Sequence, residues 1–497
     1  MQEPTEAKYD TKQEGPFWRV NPRATAQVGA ATQGLRGTSG RDPLAARRPA
    51  RDTVSQPLED ADIRDVIRSK GGFAHQAANE YTQRNFNKPY SPVENSESSL
   101  QKQAPIGRAF ALAATGHPEY KKAVFEAYQR NLPEAMHAKD YDDLLAQAYR
   151  QLAHETKKQF HSLPIATSYH RNGEGNYGTS KEMLKDIYNN KHLNVFQGGD
   201  PHEFLHEVDP ATGLNTNEMF RAVHDFYGHA VHGTEFGPKG EEKAWAAHSA
   251  MFTPLAQAAL TAETRGQNSL VNYSPLNAEL KNEVRKLEEA AHHARGKGHH
   301  EKATEFDAAK RELMGHFQFA PQKAVLLPPE MNRGDYAGGV PTYIRPLIKP
   351  AHGTTAELTH FSNEPNMTTT DPARYGTGIK GAEAERLTYP GAVRNRTHFY
   401  EGKPAQGEPG LGTNRYTAQA ANLYDVGADP EHLGTLAKHY NVTPMSAPYN
   451  KGVADPVTAA NDVERLAKEY GYSGVLNRNT QRPMAAVFSP LSVTKTN

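Results

Sequence analysis

Residues 220–273, FRAVHDFYGHAVHGTEFGPKGEEKAWAAHSAMFTPLAQAALTAETRGQNSLVNY, carry the strongest chemical signal in the sequence. Phe220, Val223, Tyr227 and Val231 recur at the spacing of one helical face, and Asp225, His229 and His232 fall at i, i+4 and i+7 on roughly the opposite side. After a turn at Gly237-Pro238 and Gly240, Glu241 and His248 stand seven apart with Trp245 between them, and Glu263 and Gln267 sit on a third helical stretch. A divalent ion such as zinc, manganese or iron needs nitrogen and oxygen ligands converging from rigid elements, which facing helices supply. The expected ligands are His229, His232, Glu241 and His248, with Asp225 or Glu263 as a further ligand or catalytic general base. The alternative is a buried hydrogen-bonded network that fixes helix packing without an ion.

Upstream, His202-Glu203-Phe204-Leu205-His206 spells H-E-x-x-H, the pattern in which zinc proteases place two imidazoles on one helix face. Gly198-Gly199 before it and Asp209-Pro210 after it leave room only for a short helix, so the match reads as chance spacing. From 61 to 160 the pattern is helical, with Ile106, Ala109, Phe110 and Ala113 on one face and Leu144, Leu145, Ala148 and Leu152 on another. Residues 165–169 and 192–196 read as short strands, and 180–190 as a helix between them. Residues 276–316 form a charged helical hairpin turning at Gly296-Lys297-Gly298. Arg265 is expected to cap a helix C-terminus or, alternatively, to bind a phosphate or carboxylate.

The chain has 497 residues and Lys+Arg equal Asp+Glu at 57 each, so two or three domains are expected and global charge makes no case for nucleic acid. It has no cysteine, which excludes disulfides, thiolate nucleophiles and thiolate metal ligands. No apolar run approaches the roughly 20 residues of a spanning helix, and the N-terminus has no signal-like apolar core, so neither membrane insertion nor ordinary export is expected. Residues 1–60 read as a disordered arm, with Arg36, Arg41, Arg47, Arg48 and Arg51 as its only route to nucleic acid. A mainly helical domain is expected over 61–324. Pro328, Pro329, Pro341, Pro346 and Pro350 suggest a linker over 325–355, and 356–497 reads as a smaller mixed α/β domain, an α+β multi-domain class in all.

Residues 356–497 run through ELTHFS, DPARYGTGIKGAEAERL, RTHFYEG and ERLAKEYGYSGVLNRNTQRPMAAVFSPLSV. This segment resembles the ADP-ribosyltransferase-like domains of phage polyvalent and toxin proteins. The resemblance implies NAD as cofactor, with His360 holding its ribose, Tyr400 stacking on and acting at the nicotinamide, and Gly376-Thr377-Gly378 allowing close backbone approach. The family's catalytic glutamate falls at Met484, and the nearest polar residue, Gln481, lacks the charge, so this domain is expected to bind a nucleotide without transferring it or to serve as a scaffold, with active transfer as the alternative. The segments AVHDFYGHAVHG, FGPKGEE and TAETRGQN look like a region recurring in large multi-domain phage proteins. The resemblance implies a phage effector or internal virion protein, found in the virion or host cytoplasm with other virion or host proteins as partners. The alternatives are a free metal-dependent hydrolase with an accessory C-terminal domain and a structural virion component with inert sites.

Overall fold

The computed structural model describes residues 63, 67, 72–94, 97–170, 177–198, 201–317, 319–348, 350, 352–374, 396–402, 412–440, 456–479 and 483–496. The expected arm at 1–60, the loop Gly376-Thr377-Gly378 and Gln481 lie outside them. Helices α1 (Phe73–Phe86), α2 (Leu100–Ala114), α3 (Pro118–Asn131) and α4 (Tyr141–His161) come first. A parallel β-α-β unit follows, made of β1 (Ala166–His170), α5 (Ser180–Lys185, prolonged by a π turn, Asp186–Asn190) and β2 (His192–Phe196). Next come α6 (Thr216–Val223), which continues as a π turn, His224–Ala230, then α7 (Pro238–Ser249) and α8 (Pro254–Thr261). A further π turn, Ala262–Gly266, leads into α9 (Gln267–Tyr273), and α10 (Pro275–Gly296) and α11 (His300–Met314) make the expected charged hairpin. The remaining elements are β3 (Thr354–Ser362), β4 (Thr397–Glu401), β5 (Asn414–Asp425), α12 (Leu433–Tyr440), α13 (Pro456–Glu469), β6 (Gly474–Asn477), β7 (Met484–Val487) and β8 (Thr494–Thr496). The class is mixed α+β.

The described residues divide into two compact units that are not consecutive in sequence: those within 1–98, 127–268 and 319–335 form one, and those within 99–126, 269–318 and 336–497 the other. In the first, the apolar faces read from sequence on α4 are buried, with Leu144, Ala148 and Leu152 wholly inaccessible. Asp140 caps this helix by accepting from Asp143 N at 2.9 Å. The stripe Phe220, Val223, Tyr227 and Val231 is buried too, but so are His224, Asp225 and His229 on its other side, so this segment is enclosed all round rather than amphipathic.

The proline-rich stretch is not a solvated linker. Val325, Leu326 and Leu327 are buried in the first unit, where Leu326 N donates to Tyr141 Oη at 2.8 Å. Val340, Ile344 and Ile348 are buried in the second. Apolar residues between the prolines bury while the prolines fix an extended path, and composition alone reports only the latter.

In the second unit, β3 pairs with both β4 and β5, giving the closed strand circuit β3–β4–β7–β6–β5–β3, with β8 added outside β5. Leu358, Phe399, Tyr416, Leu423, Leu476 and Val487 fill its core. A second core joins Leu433, Leu436, Leu466 and Ala467 of α12 and α13 to Leu100 and Ala104 of α2 and Ala278 of α10. Tyr424 of β5 and Val475 of β6 lie in this core too, so the C-terminal strands share it with helices from residues 99–126 and 269–318.

Candidate metal centre

The site is built where the α6 segment changes its winding. Asn215 and Glu218 close a reciprocal capping box, each side chain accepting from the other's backbone N–H at 2.9 Å, and this starts α6. At 3.6 residues per turn, side chains five apart lie about 140° from each other. In the π turn that follows, the i→i+5 pattern brings such residues nearly into line, and His224 and His229 come to one side. Gly228, between them, lets α7 approach: a Cβ there would sit 3.2 Å from the Ala244 carbonyl oxygen and 3.2 Å from the His224 ring. Gly240 does the same for the loop before α7, since a Cβ there would lie 1.8 Å from the Glu235 carbonyl oxygen. The first turn of α7 then presents Glu241.

His224 Nε2 stands 3.6 Å and His229 Nε2 3.5 Å from Glu241 Oε2, and the side chains are 0, 0 and 6 % exposed. One ligand atom from each of the three lies within 4.8 Å of the others. Tetrahedral ligands at zinc distances stand about 3.4 Å apart, so the spacing fits an ion at the centre.

The hydrogen bonds behind the site set the imidazole tautomers. Gln159 Nε2 donates to Met251 O at 3.0 Å, so its Oε1 accepts from His248 Nε2 at 2.7 Å. Neutral His248 then offers its Nδ1 lone pair to His224 Nδ1–H at 3.4 Å, and the lone pair of His224 is left on Nε2, facing Glu241. Thr234 does the equivalent for His229: its hydroxyl lies 3.1 Å from Nδ1 and donates to the His229 carbonyl at 3.5 Å. His229 Nε2 and Glu241 Oε1 are buried and make no hydrogen bond with any described residue. Two imidazole nitrogens and a carboxylate thus converge, a donor set that a cation can bind.

Burial pushes the Glu241 carboxyl up, but the His229 and His224 imidazoles outweigh it and hold it at about 2. Burial lowers His224, partly opposed by Glu241, and it lowers His248 well below the usual imidazole range, helped by His224 and His229. An ionised carboxylate is the state that ligation requires of Glu241. Phe220 stacks over His224 and His248 at 6.1 Å each, and Phe236 meets His229 edge-on at 5.1 Å, enclosing the group in apolar surface.

Of the expected ligands, His229 and Glu241 belong to this group and His232 and His248 do not. His232 follows the π turn and turns to Tyr90, its Nε2 3.3 Å from the phenol oxygen, beside His75. His248 stands one layer behind, holding His224. Asp225 is buried outside the group, and His224 takes its place because the π turn departs from 3.6 periodicity.

Glu263 serves a separate buried network. Its Oε1 accepts from Tyr149 at 2.6 Å and from His202 at 3.1 Å, and its Oε2 from Gln267 at 2.9 Å. The H-E-x-x-H match lies on a turn in which His202 is buried while Glu203 and His206 are exposed, so its imidazoles do not converge. Arg265 is no helix cap. It is fully buried and grips Glu242 with two hydrogen bonds, at 3.0 and 2.6 Å.

In the second unit, His360 follows Leu358 toward the strand core and its Nδ1–H donates to His398 O at 2.8 Å, with its ring 5.3 Å from Phe399. Tyr400 alternates with Phe399 and meets Phe361 on the other face at 6.2 Å. The two residues therefore point to opposite sides of the sheet and do not form one NAD pocket. Met484, at the expected catalytic position, pairs with Tyr400 in the ladder. No protein-family model matches the chain, no curated protein matches it and no solved structure matches it. What the geometry establishes is that the buried group His224, His229 and Glu241 can hold a metal ion.

Proposed function

We propose that this protein binds one divalent transition-metal ion through His224 Nε2, His229 Nε2 and a Glu241 carboxylate oxygen, and that it is a metal-dependent hydrolase. The observation that carries the reading is the convergence of His224 Nε2 and His229 Nε2 on Glu241 Oε2, at 3.6 and 3.5 Å, in a buried group. Two imidazoles and one carboxylate are a donor set suited to zinc, iron or manganese rather than calcium or magnesium. Held by His224, His229 and Glu241, the ion would supply Lewis acidity and an activated water for hydrolysis. The chain's own part is to position both imidazoles, keep Glu241 anionic and pack Phe220 and Phe236 against the imidazole rings.

The test is metal content and spectroscopy. Protein stripped with chelator and titrated with Zn²⁺ is expected to bind one equivalent, and His224→Ala and His229→Ala are expected to bind none at this site. With Co²⁺ in place of zinc, added azide is expected to change the visible absorption. Unaltered stoichiometry in both variants would remove the site, and a cobalt spectrum indifferent to azide would reduce it to a structural ion.

A further inference from the structure

A second constellation in the same unit is distinct in its residues and chemistry from the metal centre. β1 and β2 run parallel in a register that pairs Ala166 with His192 and Ser168 with Asn194. Side chains alternate across a strand, so Ser168, His170, His192 and Asn194 share one face, while Leu193 and Val195 are buried beneath the other. On the polar face Ser168 Oγ lies 2.5 Å from His192 Nε2, and His192 Nδ1 lies 2.7 Å from Asp186 Oδ2.

The π turn at the end of α5 places Asp186 where it meets β2, and three further contacts fix the face. Tyr177 Oη donates to Asp186 Oδ2 at 2.6 Å, Asn190 Nδ2 donates to Oδ1 at 2.8 Å, and Tyr177 Oη in turn accepts from Asn194 N at 2.7 Å. Burial works against the Asp186 carboxylate, but these hydrogen bonds with that of His192 outweigh it and lower its acidity range, so the group is ionised and acceptor-only. His192 Nδ1 faces this carboxylate as donor, and Nε2 faces the Ser168 hydroxyl. Exposure is graded in the useful direction: the His192 side chain is 28 % exposed and that of Asp186 17 %.

We propose that Ser168, His192 and Asp186 form a nucleophile, general base and positioning carboxylate for acyl transfer, with carboxylic esters as the substrate class. Ser168 Oγ attacks the ester carbonyl carbon while its proton passes to His192 Nε2. The bond to the alkoxy group breaks, and His192 returns that proton to the departing oxygen, releasing alcohol and leaving an acyl-Ser168 ester. Water then attacks the acyl carbon and yields a proton to His192, the bond to Oγ breaks, and Ser168 recovers its proton as the carboxylic acid leaves. Ester and water become acid and alcohol, with no other reactant. Asn194 stands opposite Ser168 in the ladder, with its Oδ1 3.1 Å from His170 Nε2.

The experiment is fluorophosphonate labelling of the full chain with peptide mapping. The expected result is one phosphonyl group on Ser168, at least 100-fold faster than on any other serine, absent in Ser168→Ala and at least 100-fold slower in His192→Ala. Asp186→Asn is expected to shift the pH profile of labelling, which a merely structural aspartate would leave in place. Chelator is expected to change nothing, which separates this site from the metal reading. No label on Ser168 in the wild-type protein, or an unchanged rate in His192→Ala with native circular dichroism, would overturn the proposal.

Discussion

Arg265→Met tests whether the helix carrying Glu241 is held by a buried ion pair. Both Arg265 and Glu242 side chains are 0 % exposed. The guanidinium donates to Glu242 through Nη2 at 2.6 Å and Nε at 3.0 Å, and through Nη1 to the carbonyls of Met331 at 2.6 Å and Arg333 at 2.9 Å. It also lies 4.0 Å from the centroid of Trp245. Methionine keeps the apolar stem but strands a buried carboxylate and two carbonyls. Removing one partner of such a pair costs about 3–5 kcal/mol, whereas replacing both by apolar groups is often nearly neutral. The single variant is thus expected to lose about 3–5 kcal/mol and the double variant Arg265→Met/Glu242→Met to recover most of it. Urea denaturation followed by tryptophan fluorescence reads this directly, because Trp245 reports on the pair and the only other tryptophan is Trp18. A single variant within about 1 kcal/mol of wild type, or a double variant less stable than the single, would refute the reasoning.

Three further outcomes follow from the geometry. His248→Ala removes the acceptor that orients His224 and is expected to weaken Zn²⁺ affinity about 10–100-fold by competition titration while leaving the stoichiometry at one. Gly240→Ala forces the Glu235 carbonyl away from α7, and a loss of about 1–3 kcal/mol in chemical denaturation is expected, with weaker metal binding. Burial, with His75 nearby, holds His232 at about 4. The unfolded chain therefore binds the proton first, and stability is expected to fall as pH drops from about 7 toward 4, by up to roughly 1.4 kcal/mol per unit. His232→Phe should flatten that slope in denaturation curves taken at several pH values, and an unchanged slope would show that other groups produce it.

Much of the secondary structure was legible. The strands at 165–169 and 192–196, the helix between them and the charged hairpin were all readable, because periodicity and turn residues act locally. The metal centre was half legible. His229 and Glu241 were found as the polar residues of a His/Glu-rich stretch, but His224 was missed because a π turn shifts the phase of every later side chain. The Ser168–Asp186–His192 chain carried no motif, since its three residues meet only through a parallel register and a π turn.

By itself the sequence determined which segments wind as helices or extend as strands and which side chains were available for chemistry, because those properties depend on near neighbours and on composition. Only tertiary structure decided which of them meet. The prolines of 328–350 were legible, but not that the apolar residues among them complete two cores. His360 and Tyr400 were legible, but not that strand alternation turns them to opposite faces. Convergence of Nε2 atoms on a carboxylate is set by helix phase, hydrogen bonds from Gln159 and Thr234, and the two glycines that let α7 approach, all long-range or cooperative terms with no single-residue signature.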